Sequence, residues 1–217
     1  MEAFTDIATA AYCPRKVYYR RKHGDGQPPD EIATIRNLAF RYEDLRDPAS
    51  DLTAEPIALT PTQYRSNLGQ AKARLERWDE LADPAETRVF LSGKDANGIA
   101  HKLLSDPPVP TIISAGEPPD QGVWEPQSVR ATAAAKALSW ERETPTETAY
   151  IEYPAYGIVR KIRLTTRRKA AYRRALRTVE SLDGPPPRLS DDARCRSCEY
   201  REECGTKTRS LRSRLSL

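Results

Sequence analysis

Apolar residues recur at spacings of three and four along the first part of the chain, as Ile32, Ile35, Leu38, Tyr42 and Leu45 and again as Tyr64, Leu68, Ala71, Leu75, Trp78 and Leu81. That period predicts two amphipathic helices, the second opened by Pro61, whose missing N–H is harmless in a first turn. Ahead of them Thr5 can cap a helix that leads to Cys13, Pro14 can start a further segment over 15–22, and the glycines and prolines of 24–29 end it. After Asp83-Pro84 the period changes. Residues 88–91, 99–104 and 109–113 are short β-rich runs separated by a turn at 93–98 and by Ser105-Asp106-Pro107-Pro108, which predicts three strands with tight connections. The alanine-rich stretch 126–143 reads as a helix, and 148–153 and 158–164 read as two more strands around a turn at 154–157. Residues 166–182 form a basic helix with Tyr172, Leu176 and Val179 on its apolar side, stopped by Gly184 and the prolines of 185–187. This order predicts an α/β fold with a central mixed sheet flanked by helices.

The 217 residues suffice for one domain with a real core: a helical part over 1–83, a core over 84–184 and a cysteine-bearing tail over 185–217. Mean hydropathy is −0.71 and charge interrupts every apolar run, which excludes a bilayer-spanning helix. The first residues lack a basic stretch followed by an apolar one, so no secretory signal is expected and the cytoplasm is the expected location. Charge is uneven along the chain. Residues 158–217 hold 17 basic and 7 acidic side chains, a balance of +10, whereas the other 157 hold 18 and 24, a balance of −6. The densest stretch runs from Arg160 through Lys161, Arg163, Arg167, Arg168, Lys169, Arg173 and Arg174 to Arg177 without one carboxylate. Such a segment points to a polyanionic partner, with a solvated helix face as the plainer alternative.

All four cysteines lie near the extremities: Cys13 alone, then Cys195, Cys198 and Cys204. In a cytosolic chain this usage favours a metal site over two disulfides, and the close group suits several thiolates converging on one centre that Cys13 completes. Zinc and an iron–sulfur cluster both accept four thiolates. A zinc ribbon usually offers two CxxC hairpins, so one CxxC, one cysteine six residues on and one 182 residues upstream lean towards the cluster. Either would tie the first helix to the tail and add folding free energy directly.

The segment Tyr12-Cys13-Pro14-Arg15-Lys16-Val17-Tyr18-Tyr19, the three prolines before Arg188, and the run from Cys195 to Cys204 together resemble the CRISPR-associated RecB-like exonucleases. The resemblance covers most of the chain. It implies a PD-(D/E)XK nuclease core whose ends are pinned by a 4Fe–4S cluster on Cys13, Cys195, Cys198 and Cys204, and a DNA substrate that is single-stranded or presents an end.

The family's nuclease chemistry needs carboxylates to hold Mg2+ or Mn2+ and a lysine to orient water, supplied by Gly-x-x-Asp, Glu-x-Lys and a helical Gln-x-x-x-Tyr. Here Gly98-Ile99-Ala100-His101 has His101 in place of the acid, Ile112 and Ser114 stand about where Glu and Lys belong, and the helix over 129–138 has neither Gln nor Tyr. The upstream helical His is missing from 38–43 as well. A metal role for His101 has no predicted carboxylate to support it. The sequence therefore leads to a DNA-binding, iron–sulfur protein without nuclease catalysis, acting in DNA processing or with proteins of CRISPR adaptation. Two alternatives stand beside it. One is an active Mg2+- or Mn2+-dependent exonuclease with ligands relocated to Asp95, Asp106, Glu117 or Asp120, and the other is a cysteine-clamped interaction module that never touches nucleic acid.

Overall fold

The computed structural model describes residues 1–24, 26, 29–189 and 192–205. The basic residues Lys207, Arg209, Arg212 and Arg214, counted above in the positive end of the chain, lie outside the described residues. Strand β1 (Glu2–Ala3) leads into α1 (Phe4–Tyr12), α2 (Pro14–His23), α3 (Asp30–Asn37), α4 (Tyr42–Arg46), α5 (Pro61–Arg74) and α6 (Trp78–Ala82). Then follow β2 (Glu86–Ser92), β3 (Ala96–Leu104), β4 (Val109–Ile113), α7 (Glu125–Glu141), β5 (Thr148–Tyr153), β6 (Ile158–Arg163), α8 (Thr166–Glu180), α9 (Asp192–Arg196) and α10 (Arg201–Cys204).

The strands form one mixed sheet of six in the order β1-β3-β4-β5-β6, with β2 on the other edge of β3. The β1–β3 and β4–β5 pairs are parallel and the rest antiparallel. A parallel β4–β5 pair requires a crossover, and α7 provides it. Period-two alternation then sends Ile112 and Ile151 to one face, where α1, α7 and α8 cover them, and Ile113 and Tyr150 to the other, under α4, α5 and α6. Two glycines permit close approach. A Cβ on Gly93 would sit 2.7 Å from the Ala137 Cα of α7, and one on Gly98 would sit 2.6 Å from the Phe4 ring.

The elements from β2 to α8 follow the sequence pattern to within a few residues, the short helices α9 and α10 appear in the tail where no element was expected, and the two helical stripes each divide. The 32–45 stripe becomes α3, a 3-10 turn at Leu38–Phe40 and α4; the 64–81 stripe breaks at Leu75, whose backbone is extended. Leu38, Tyr42, Leu45, Tyr64, Leu68, Leu75, Trp78 and Leu81 are buried all the same. The first break has a tertiary cause. The buried Lys102 ammonium donates to the Ala39 carbonyl at 2.6 Å, to the Leu81 carbonyl at 2.6 Å and to Glu152 at 2.8 Å, so backbone that a continuous helix would use internally turns to the sheet. Thr111 donates to the other Glu152 oxygen at 2.7 Å, and both charged side chains are fully enclosed. No helix among the described residues is long and apolar enough to cross a membrane.

Candidate nucleic-acid cleft and four-cysteine centre

Cys13 occupies the bend between α1 and α2, where Pro14 opens the second helix and the Cys13 N–H still donates to the Thr9 carbonyl at 2.8 Å. Cys195 lies in α9, Cys198 just beyond it and Cys204 at the end of α10. All four line one small cavity of about 30 Å³ together with Tyr12, Arg15, Tyr19 and Arg188. Folding thus brings Cys13 to the three tail cysteines across 182 residues or more. The donor chemistry, four thiols walled by aromatic rings and arginines, suits a thiophilic metal centre. Among the described residues no three His, Cys, Asp or Glu side chains converge closely enough to hold an ion.

Polar and ring contacts also tie the tail to α1 and α2. The Tyr12 carbonyl accepts from Arg194 at 2.8 Å and that guanidinium lies over the Tyr12 ring; Arg15 donates to the Pro186 carbonyl at 2.7 Å. Lys16 pairs with Glu199 at 3.0 Å, Lys22 and His23 reach Glu203 at 2.5 and 2.6 Å, and the Tyr200 ring stacks on Tyr19 and His23. A hydrogen bond to Tyr19, with a further contact to Cys204, raises the Arg15 pKa, so a fixed positive charge stands beside the thiols.

At the positions where the resemblance would place nuclease residues, the side chains have other uses. His101 accepts the Ile113 backbone N–H at its Nδ1, 3.0 Å away, and burial followed by the nearby Arg130 and Arg36 charges holds its pKa well below the ordinary histidine range. A neutral acceptor inside the sheet is a packed histidine. The stretch 38–43 contributes Leu38, Ala39 and Tyr42 to the core, and Glu43 accepts from Trp78, Arg46 and Lys72 at 2.5–3.0 Å. Burial pushes the Glu43 carboxyl up, but those hydrogen bonds outweigh it and bring the pKa down to about 2. Asp95 and Asp106 precede and follow β3, whose nine residues separate its ends by roughly 30 Å at ~3.4 Å per residue, so they cannot share an ion. Glu117 and Asp120 lie on the β4–α7 loop, and the Asp120 carbonyl accepts from Arg160 at 3.3 Å.

Where β4 ends, a cleft opens between α1–α3 on one side and the start of α7 on the other. One part, of about 320 Å³, is lined by Thr9, Ile32, Arg36, Ser114, Gln127 and Arg130 among others. It continues through Ala8, Thr9, Gly116, Pro126 and Gln127 into a larger part of about 780 Å³ beside Tyr12, Lys16, Trp124 and Arg194, next to the cysteines. Trp124 is exposed, its indole N–H donating to the Glu117 carbonyl at 2.8 Å. Gln127 stands two residues ahead of the 129–138 stretch in which the sequence shows no motif glutamine, and Ala131 follows it at the spacing where the family has Tyr.

The nine basic residues of 160–177 divide between structure and surface. Arg160 binds the carbonyls of Gly122 and Asp120, and Arg168 donates to Ser128 at 3.1 Å and to the Arg163 carbonyl at 3.1 Å. Lys169 pairs with Glu147 at 2.9 Å, Arg174 with Glu125 at 3.3 Å, and Lys161 with Glu76 at 4.0 Å, so acids from other elements meet charges that have none nearby in sequence. Arg163, Arg167, Arg173 and Arg177 are exposed and make no ion pair among the described residues. Arg167, Arg168 and Arg174 line a third recess of about 540 Å³, which meets the large cleft at Glu125.

No protein-family model matches the chain, and no curated protein matches it at a significant level.

Proposed function

We propose that the chain is a DNA-binding protein of the CRISPR-associated RecB-like exonuclease family, built on a PD-(D/E)XK core, with a four-thiolate metal centre and without nuclease catalysis. The observation that carries this reading is the position of the four-cysteine cavity at the mouth of a cleft lined by arginines, the exposed Trp124 and the half-buried Tyr12. Single-stranded DNA is held by cations along its backbone and aromatic faces under its bases, and Lys16 with the exposed Trp124 offers one contact of each kind. The exposed cations of β6 and α8 extend the same polarity.

Cys13, Cys195, Cys198 and Cys204 would hold an iron–sulfur cluster, with zinc as the alternative, and a bound metal would supply cross-linking of the chain ends. Arg15 offsets negative charge on the thiolates, and the Lys16, Lys22 and His23 contacts keep the tail in register with α2. Loss of cleavage follows from the donor set, because Ile112, Ile113 and Ser114 offer Mg2+ or Mn2+ no carboxylate and water no lysine. The location in DNA processing or CRISPR adaptation follows from the same resemblance.

The test is anaerobic purification with visible spectroscopy and metal analysis, followed by anisotropy titrations of labelled oligothymidine over a salt series. Expected are broad visible absorption with iron, and affinity that falls by ~0.7–0.9 log units per log unit of salt for each phosphate neutralised. Stoichiometric zinc without iron would overturn the cluster, and salt-independent or absent binding would overturn the DNA reading.

A further inference from the structure

Two guanidinium groups face the 320 Å³ part of the cleft without a counter-ion. Neither Arg36 on α3 nor Arg130 on α7 makes an ion pair or side-chain hydrogen bond among the described residues, and the Nε of each is buried without a partner. The nearest acid on α1, Asp6, is committed to Arg20 at 3.0 Å and to Arg21 at 2.9 Å. Burial lowers the pKa of Arg36, and burial together with the Arg36 and Arg20 charges brings Arg130 down to about 10. Like charges gathered in a partly desolvated place without an acid raise the energy of the empty fold, and an anion relieves that cost.

We infer that this pocket binds a phosphate monoester, with Arg36 and Arg130 as its two charged donors. The match is in charge, shape and size. A phosphate monoester carries nearly two negative charges at neutral pH, and a guanidinium presents donors in a fork that fits two of its oxygens. Binding pockets for small molecules start near ~300 Å³, so this one admits about one nucleotide unit. Ile32, Ile112 and Pro126 give it an apolar wall for a sugar or base. Gln127 completes the polar end. Its Oε1 is buried without a partner while its Nε2 donates to Ser114 at 3.3 Å. Turning the amide end for end lets the Ser114 hydroxyl donate and replaces the unpartnered buried oxygen with an NH2 group at the rim of the same pocket. The inference stands apart from the DNA reading, since it concerns one phosphate and not a strand.

The experiment is calorimetric titration of the full chain with thymidine 5′-monophosphate, thymidine and inorganic phosphate, with thermal unfolding of each variant. Saturable binding of the monophosphate and none of thymidine is expected. Arg36→Gln and Arg130→Met should each weaken it at least tenfold while unfolding no earlier than wild type, because each removes an uncompensated charge. Competition by hexathymidine with a 5′-phosphate but not with a 5′-hydroxyl would identify a strand end as the source, and equal failure of both would identify a free nucleotide; either supports the site. Equal affinity for thymidine and its monophosphate, or undiminished affinity in Arg36→Gln, would overturn it. Because no DNA is needed for the main titration, its failure leaves the salt-dependent binding of oligothymidine to be judged separately.

Discussion

Replacing Lys102 with Met removes the fully buried cation that β3 sets against Glu152 of β5. The ammonium satisfies three acceptors at 2.6, 2.6 and 2.8 Å, and neither it nor Glu152 is exposed. Methionine keeps the bulk but leaves a buried carboxylate that has lost its cation, with the Thr111 hydroxyl still donating to it, and strands the Ala39 and Leu81 carbonyls. Breaking such a pair from one side costs about 3–5 kcal/mol, which for a chain of this size lowers the unfolding midpoint by roughly 6–20 °C. The cost should be strongly coupled. In Lys102→Met with Glu152→Leu no charge is left unpaired, so the double variant should lose clearly less than the two single changes added together. Urea unfolding followed by tryptophan fluorescence reads this directly, since the buried Trp78 stacks on Tyr42, whose ring also receives the Lys102 ammonium at 4.9 Å. A loss under 1 kcal/mol in the single variant, or simple additivity in the cycle, would refute a pair that specifies how the helical layer meets the sheet.

Cys198→Ala should bleach the visible absorption and lower the unfolding midpoint. Unchanged colour would exclude it as a ligand. Arg167, Arg168, Arg173 and Arg174 changed together to Gln should weaken oligothymidine binding and flatten its salt slope. Equal slopes in the two proteins would leave those charges a solvated face. His101 is neutral in the fold and takes a proton only once unfolded, so stability should fall as pH drops below about 6.5, by at most ~1.4 kcal/mol per pH unit. His101→Gln, whose amide oxygen can still accept the Ile113 N–H, should flatten that limb in pH-dependent urea titrations; an identical profile would mean the imidazole does not titrate there. Glu43, lowered to about 2, adds a second limb that appears as pH falls from about 4.5 towards 2 and should vanish in Glu43→Gln.

Periodicity made the sheet legible, because β3, β4 and β5 alternate two faces that are both covered and their boundaries coincide with Gly, Pro and Asp. It could not reveal β1, whose two residues carry no pattern, nor the break at 38–41, which depends on Lys102 across 63 residues. Lys102 itself gave a weak signal as a lone cation among Leu103, Leu104 and other strand residues, but nothing in sequence ties it to Glu152. The cysteines were legible because four thiols stood at two ends and nowhere between. Arg36 and Arg130 were not, since each sits singly on a helix where an arginine ordinarily means solvent, and only the fold turns both into one cleft.

End-labelled oligothymidine incubated with Mg2+ or Mn2+ and anaerobically purified chain, resolved at single-nucleotide length, tests directly whether the chain binds DNA without cutting it. The expected result is a retarded complex and full-length DNA throughout. Shortened products that persist in His101→Ala but disappear on substituting Asp95, Asp106, Glu117 or Asp120 would contradict it.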